Sequence, residues 1–260
     1  MLTEKINAEN LIILEGAISV LSAVYSDYAE VVKIIIMPGK DAPKILRAAD
    51  IKRIEVEYRE FDEFEARIGR THGGIIALAK KRRFLTPDKL IFEGEHKVRP
   101  YSLAIIEGIE DPYNLGYAVR ALYTQGTDGL ILPERDFGFS ESVIEKASTG
   151  TFYKMPTATF AGDAKLELIN LLKNNNFRIY CMGQKAPADS KAEVRDIFNI
   201  KFAARSAFII GGEKRGISKD FLQGADEIVR IPYANAFAHS LAAQTAATII
   251  SYEIHRQRNM

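Results

Sequence analysis

The second half of the chain alternates between two hydrophobic periods, and that alternation restricts the fold more than any other feature. SLAII (102–106), GLIL (129–132), FRIYCM (177–182), SAFIIGG (206–212) and EIVRIP (227–232) are short apolar runs rich in β-branched residues. Between them NLGYAVRALYTQG (114–126), SESVIEKAS (140–148), DAKLELINLLKNN (163–175) and SLAAQTAATIISYEIHRQ (240–257) carry helical spacing. Strands that alternate with helices predict a mostly parallel sheet with helices on both faces. Asp163 and Ser240 stand where helix N-caps are expected.

The first part has a different order. NLIILEGAISVLSAVYSDY from Asn10 has a broad apolar face and predicts a helix, followed by a strand in VVKIIIMP that Pro38 and Gly39 stop. Residues 42–49 predict a second helix, IKRIEVEY (51–58) a polar-edged strand and DEFEARIG (62–69) a short charged helix. THGGIIALA (71–79) leads from a glycine turn into an apolar strand. Residues 1–84 therefore read as a small α/β domain, 85–100 as a linker punctuated by Pro87, Gly94 and Pro100, and 101–260 as the larger α/β domain.

Composition excludes several classes. A chain of 260 residues that is 47% hydrophobic is too apolar for disorder, and it lacks the long apolar run of a membrane helix. The single cysteine, Cys181, excludes a disulfide framework and reads as a core residue; four scattered histidines offer no metal-ligand spacing, so no metal is expected. The N-terminus has charges of both signs and no apolar leader core, which predicts a cytoplasmic protein. Net charge is +1, with fifteen basic against sixteen acidic residues up to residue 96 and twenty against eighteen beyond it. Neither part grips nucleic acid by bulk charge, so any nucleic-acid binding is expected to have a shallow salt dependence.

Three strand-to-loop transitions concentrate residues with chemical uses. In IEGIEDPYNLGYAVRALYTQGTDGLIL (106–132), Pro112, Asn114 and Gly116 sit where a strand gives way to a helix, the ligand edge of an α/β sheet. Arg120 follows within that helix. In FIIGGEKRGIS (208–218), Gly211 and Gly212 allow close backbone approach to a ligand, and Glu213, Lys214 and Arg215 come next. In RIPYANAFAHSLAAQ (230–244), a strand stopped by Pro232 enters a loop that leads to Ser240. Each residue has an ordinary reading too: Asn114 and Ser240 as caps, Arg120 as a surface arginine, Glu213 as a first-turn acid. His239 beside Ser240 does not make a hydrolytic pair, because adjacent side chains diverge and no acid is placed to orient the imidazole. His72, ahead of Gly73-Gly74, reads as a turn histidine.

The order of "DPYNLGYAVRALYTQGTDGLIL", "ASTGTFYKMP", "IIGGEKRGIS" and "RIPYANAFAHSLAA" followed by "SYEIHRQR" resembles the SpoU (TrmH-like) branch of the SPOUT methyltransferases across the whole second part. "LEGAISVLSAV" (14–24) and "THGGIIALA" resemble, less specifically, that family's L30e-like RNA-binding domain. The resemblance implies transfer of a methyl group from S-adenosylmethionine to a ribose 2′-hydroxyl of tRNA or rRNA. It also implies a trefoil knot, an exception to the rule against knots, and a homodimer with sites at the subunit interface. Asn114 and Arg120 match its first motif, with the arginine near the attacking hydroxyl; Gly211, Gly212 and Glu213 match the second. Ile231, Pro232 and Leu241 match cofactor-holding positions, and Ser240 matches the serine of the third motif. A guanidinium stays protonated, so Arg120 suits clamping an RNA phosphate better than removing a proton. Lys80, Arg82, Arg83, Lys214 and Arg215 are further candidate RNA contacts.

Departures from the family pattern cluster in this pocket. Ser240-Leu241-Ala242 replaces Ser-Leu-Asn, the loop from Ile231 to Leu241 is one residue longer, Tyr233 stands where methionine is common, and Tyr117 where a small residue is usual. Asn235 and Gln244 are the candidates for supplying the lost amide. The competing reading is a SPOUT-fold RNA-binding protein with weakened or lost catalysis. A different α/β nucleotide enzyme is disfavoured because G-x-G-x-x-G and Walker patterns are absent.

Overall fold

The computed structural model describes residues 11–60, 72–95, 99–135, 137, 140–187, 192–212 and 214–259. The chain divides into two compact units, Met1–Arg83 with Asp136–Lys154, and Phe84–Arg135 with Met155–Met260. The first unit thus recruits a segment from the second half of the sequence.

In the first unit a four-stranded sheet has the order β1 (Leu11–Glu15), β4 (Ile75–Lys80), β2 (Glu30–Ile36), β3 (Glu55–Tyr58). β4 runs antiparallel to both β1 and β2, and β2 pairs parallel with β3. Helices α1 (Ala17–Val24) and α2 (Pro43–Lys52) close a core of Leu14, Val20, Ala23, Ile34, Ile36, Ile45, Ala48, Ile75 and Ala77. The helix expected from Asn10 is corrected here: LIILE is strand β1, and the helix begins only at Ala17. A short apolar run fits a buried strand or a buried helix equally. Gly16 decides it, because its φ of 85° breaks the chain direction between the two and suits a residue without a Cβ. The helix expected over 62–69 lies outside the described residues.

The recruited segment carries α5 (Ser140–Ala147), which packs on β1 and α1. Glu141 and Glu145 on α5 are buried beside Arg82, Phe152 and Tyr153. The Arg82 backbone N–H and the Tyr153 hydroxyl donate to Glu141 Oε1 at 2.8 and 2.7 Å, and the Tyr153 N–H donates to Glu145 Oε2 at 3.1 Å. The Arg82 guanidinium lies over the Phe152 and Tyr28 rings at 4.5 and 5.1 Å.

The second unit is a seven-stranded parallel sheet in the order β7-β6-β5-β10-β8-β11-β9. Its strands are β5 (Tyr101–Glu107), β6 (Gly129–Pro133), β7 (Thr157–Phe160), β8 (Arg178–Met182), β9 (Glu193–Asp196), β10 (Arg205–Gly211) and β11 (Glu227–Arg230). Leu103, Ile105, Ile179, Cys181, Ala207, Ile209 and Ile228 join Leu90, Leu168, Ile169, Leu172 and Phe221 from α3 (Pro87–Glu95), α6 (Lys165–Asn174) and α7 (Lys219–Gly224) in one core. Side chains alternate along a strand, so Ala104, Phe208 and Ile210 face the opposite side. There α4 (Pro112–Thr124) packs against α8 (Ala243–Arg258), which also lies on β10. The expected α/β sheet with helices on both faces is therefore present.

Several local expectations change. The stretch 85–100, read as a linker, contains α3, whose Leu90 and Ile91 are fully buried. Helix α6 follows Ala164 instead of a capping Asp163, and α8 follows Ala242 instead of Ser240. Strands β7 and β9, of four residues each, were too short to announce themselves by periodicity. No helix among the described residues is long and apolar enough to cross a membrane.

Candidate functional site

The carboxyl ends of three neighbouring parallel strands, β10, β8 and β11, open into a cavity of about 710 Å³. Its walls come from Met182, Gly183 and Gln184 at the end of β8, from Ile210, Gly211, Gly212, Lys214, Gly216 and Ile217 around the end of β10, and from Val229, Ile231, Tyr233 and residues 238–243 between β11 and α8. This is where an open α/β sheet presents its ligand edge, and the size is that of a small-molecule site. Of the sequence candidates, Gly211, Gly212, Lys214, Ile231, Ser240 and Leu241 all line it. Pro232 is half-buried at the start of the loop. Glu213 lies outside the described residues.

Both glycines of the second motif have a steric explanation inside the protein. A Cβ on Gly211 would stand 2.4 Å from the Gly216 carbonyl carbon, and one on Gly212 would stand 2.3 Å from the Gly108 carbonyl oxygen. Gly212 and Gly216 exchange backbone hydrogen bonds of 3.2 and 3.1 Å, which tie the two glycines together. Close approach to a ligand is one reason for glycine at these positions; backbone-to-backbone packing already requires it. Glu107 at the end of β5 fixes the chain after Gly216, accepting from the Ser218 N–H at 2.8 Å while pairing with Lys165 at 2.9 Å.

Backbone groups take part in two of the hydrogen bonds at the cavity wall. The Leu241 N–H donates to the Tyr233 hydroxyl oxygen at 3.0 Å, and Gln184 Nε2 donates to the Ile231 carbonyl at 3.1 Å. Nothing in FRIYCMGQ marks Gln184, a glutamine two residues past a strand end, as a site residue. Lys214 pairs with Glu110 at 2.6 Å, which holds the Glu110 carboxyl below its usual range. Arg135, whose guanidinium donates to the Ile109 carbonyl at 2.9 Å, adds a cation beside the loop after β5.

Asp111 caps α4, its carboxylate accepting from the Asn114 N–H at 2.8 Å, so Asn114 belongs to the first helical turn. The Asn114 side chain instead meets α8: Gln244 Nε2 donates to Asn114 Oδ1 at 3.1 Å. Gln244 lies one residue beyond cavity-lining Ala242 and Ala243. Arg120 is exposed, and among the described residues its guanidinium has no hydrogen-bond or ion-pair partner. It is not brought into the cavity: six residues after Asn114 it is about 9 Å further along the helix axis, and it shares an exposed face with Tyr113 and Tyr117.

The basic candidates separate by burial. Lys80 pairs with Glu30 at 2.7 Å on the surface, Arg83 donates to the Asp27 carbonyl at 2.8 Å, and Arg215 is exposed. Arg82 is corrected: at 4% exposure it cannot reach a phosphate, and burial pushes its guanidinium down to about 10. A run of four cations reads as solvated in sequence; here the residue after Lys81 turns inward to meet the two glutamates of α5. Cys181 is buried and its thiol is pushed well up by desolvation, which suits a core residue. Among the described residues no group of three metal-ligating side chains occurs.

The SpoU rRNA Methylase family model matches residues 102–252. A relative in Staphylococcus epidermidis, named as a TrmH family tRNA/rRNA methyltransferase, is 27% identical over 251 residues, 95% of this chain and 96% of its own. A Staphylococcus aureus relative of the same name is 28% identical over 230 residues, 87% of this chain and 89% of its own. Two solved structures share the fold. The AdoMet-bound rRNA methyltransferase of Sinorhizobium meliloti has a TM-score of 0.75 at 18% identity, covering 98% of this chain and 90% of that one. The SpoU methyltransferase AviRb of Streptomyces viridochromogenes has a TM-score of 0.75 at 21% identity, covering 98% and 93%. With the family match spanning more than half its length and centred on the strand ends that build the cavity, this chain belongs to the SpoU rRNA Methylase family.

Proposed function

We infer that this protein transfers a methyl group from S-adenosylmethionine to a ribose 2′-hydroxyl of tRNA or rRNA. The observation that carries the reading is the cavity at the ends of β8, β10 and β11, where the motifs at 208–218 and 230–244 converge. Its donor set suits that cofactor. Aliphatic walls such as Ile210, Ile217 and Leu241 suit a flat purine, and backbone N–H and C=O groups at Leu241 and Ile231 suit its polar edges. Structural relatives with the cofactor bound, from Sinorhizobium meliloti and Streptomyces viridochromogenes, support the same choice.

When bound, the cofactor would supply an electrophilic methyl on a sulfonium for the ribose oxygen, with S-adenosylhomocysteine as leaving group and the hydroxyl proton passing to solvent. The protein's task is chiefly positioning. Gly211, Gly212, Ile231, Pro232 and Leu241 shape the cofactor wall. Asn114, Ser240 and Glu213 are proposed to orient the ribose, and Arg120 to clamp the adjacent phosphate bidentately. Lys214 and Arg215, with Lys80 and Arg83 in the N-terminal unit, extend the proposed RNA contact.

Residues 1–84 are proposed as the RNA-substrate-binding domain of L30e-like fold and 101–260 as the methyltransferase domain with a trefoil knot. A cytoplasmic homodimer is part of the same reading; the exposed Arg120, outside its own cavity, suits a site completed by a second copy. Titration calorimetry with S-adenosylmethionine, then labelled cofactor with total RNA and mapping of the modified ribose, tests it. Micromolar binding and a single labelled 2′-position are expected; no binding at millimolar cofactor contradicts it. The alternative of an RNA binder with lost catalysis draws on Ala242, whose methyl group offers no hydrogen bond. The Gln244–Asn114 bond speaks against it, since an amide pair persists beside the cavity.

A further inference from the structure

The loop between β11 and α8 forms one wall of the cavity, and its fastening is unusual. Residues 234–240 are all exposed, and among the described residues no backbone–backbone hydrogen bond holds 232–241. Two side chains hold the loop instead: Tyr233, whose hydroxyl oxygen accepts from the Leu241 N–H, and Gln184, which donates to the Ile231 carbonyl. The Tyr233 ring meets Phe237 at 6.1 Å and 61°, and Phe237 meets His239 at 5.6 Å and 69°, so the loop's aromatic side chains pack on one another. Gln184, Ile231, Tyr233, His239 and Leu241 all line the cavity.

These two bonds differ in what they leave for a ligand. A carbonyl oxygen has two lone pairs, so Ile231 keeps one while Gln184 occupies the other. A backbone N–H has one hydrogen, so the Leu241 amide serves Tyr233 or a ligand, not both. A purine nucleoside presents ring nitrogens and ribose oxygens that need donors, and the Leu241 N–H is a backbone donor on the cavity wall.

We propose that Tyr233 is an affinity-determining residue that competes with the nucleoside of the cofactor for the Leu241 N–H. Binding breaks the Tyr233–Leu241 bond and gives the amide to the ligand. Tyr233 also keeps a half-buried donor satisfied until the ligand arrives, at the expense of affinity. The proposal rests on the cofactor reading above.

The test is calorimetry of S-adenosylmethionine and S-adenosylhomocysteine with wild-type protein and Tyr233→Phe. The variant keeps the ring packed on Phe237 and removes only the hydroxyl. Both ligands share the nucleoside, so both are expected to bind about three- to ten-fold tighter, the worth of one neutral hydrogen bond. Gln184→Met leaves the Leu241 amide engaged and is expected not to tighten binding. Backbone amide NMR gives a readout independent of affinity: the Leu241 N–H signal should move on Tyr233→Phe in the free protein, and much less between the two liganded proteins. Unchanged or weaker binding by a folded Tyr233→Phe overturns the competition, since the hydroxyl would then be shaping the binding form. Wild-type protein that binds neither ligand contradicts the cofactor reading itself, a result separable from the first.

Discussion

Gln244 donates a side-chain hydrogen bond to Asn114 at 3.1 Å, joining the first turn of α8 to the first turn of α4. Its own carbonyl oxygen Oε1 is buried with no hydrogen-bond partner among the described residues. The bond fixes the direction of Asn114 beside the cavity at the cost of one unsatisfied acceptor, which indicates a positioning role. Gln244→Leu is expected to lower kcat for RNA methylation roughly ten- to hundred-fold, with KM for cofactor little changed. Steady-state kinetics on the mapped RNA checks this; an equal rise in KM with kcat intact would point to binding instead.

Ala242 occupies the N-cap of α8 with extended backbone (φ −58°, ψ 143°) and no side-chain cap bond. That geometry accepts asparagine or serine without strain. Ala242→Asn is expected to stabilise the protein by about 1 kcal/mol, raising Tm by roughly 2–4 °C for a chain of this size. Differential scanning calorimetry reads the shift.

Gly212→Ala places a methyl against the Gly108 carbonyl oxygen, backbone that cannot rotate away. The backbone around Gly212 must shift, and the cavity wall with it. Loss of about 1–3 kcal/mol in stability is expected, with cofactor affinity falling by at least tenfold. Thermal melts paired with cofactor titration separate the two effects.

Burial pushes the Glu145 carboxyl up to about 8, and Glu141 is raised for the same reason. A carboxyl whose pKa is higher in the folded than in the unfolded state binds more protons when folded, so stability from this group falls as pH rises between about 4.5 and 8. Glu145→Gln, which keeps the shape and the acceptor for the Tyr153 N–H, is expected to flatten that part of the profile. Urea midpoints measured from pH 5 to pH 8 in both proteins test it; parallel profiles would contradict it.

Arg82 and Arg83 are neighbours with opposite fates. Arg82→Ala removes a buried guanidinium packed over the Phe152 and Tyr28 rings and is expected to cost about 1–3 kcal/mol, whereas Arg83→Ala should leave stability within about 0.5 kcal/mol. Denaturant unfolding of the two variants provides the comparison. Equal effects would mean the buried cluster does not need its guanidinium.

Strand positions in the second half could be read directly, because β5, β8, β10 and β11 are compact apolar runs bounded by glycine or proline, and α4 and α8 are long enough to display their period. The candidate site was legible to the same extent: Gly211, Ile231, Ser240 and Leu241 follow strand ends, and a parallel sheet gathers its ligand groups there. Gln184 was not, since its importance lies in a single hydrogen bond to a backbone group 47 residues away; Tyr233 was legible as a departure in the pocket, but its bond to the Leu241 N–H was not. Local pattern also failed at Leu11–Glu15, where five apolar-rich residues suit either period and only pairing with β4 makes them a strand.

By itself, then, the amino-acid order determined the alternation of strands and helices, the ligand-edge motifs and the absence of bulk positive charge. Tertiary structure alone decided the strand order β7-β6-β5-β10-β8-β11-β9, which brings β8, β10 and β11 side by side. It also decided that residues 136–154 pack with the first unit and that Arg82 turns inward while Arg83 does not. The physical reason is the same in each case. Periodicity records which face of an element is apolar, whereas its neighbours are chosen by packing and hydrogen bonding between residues far apart in the chain.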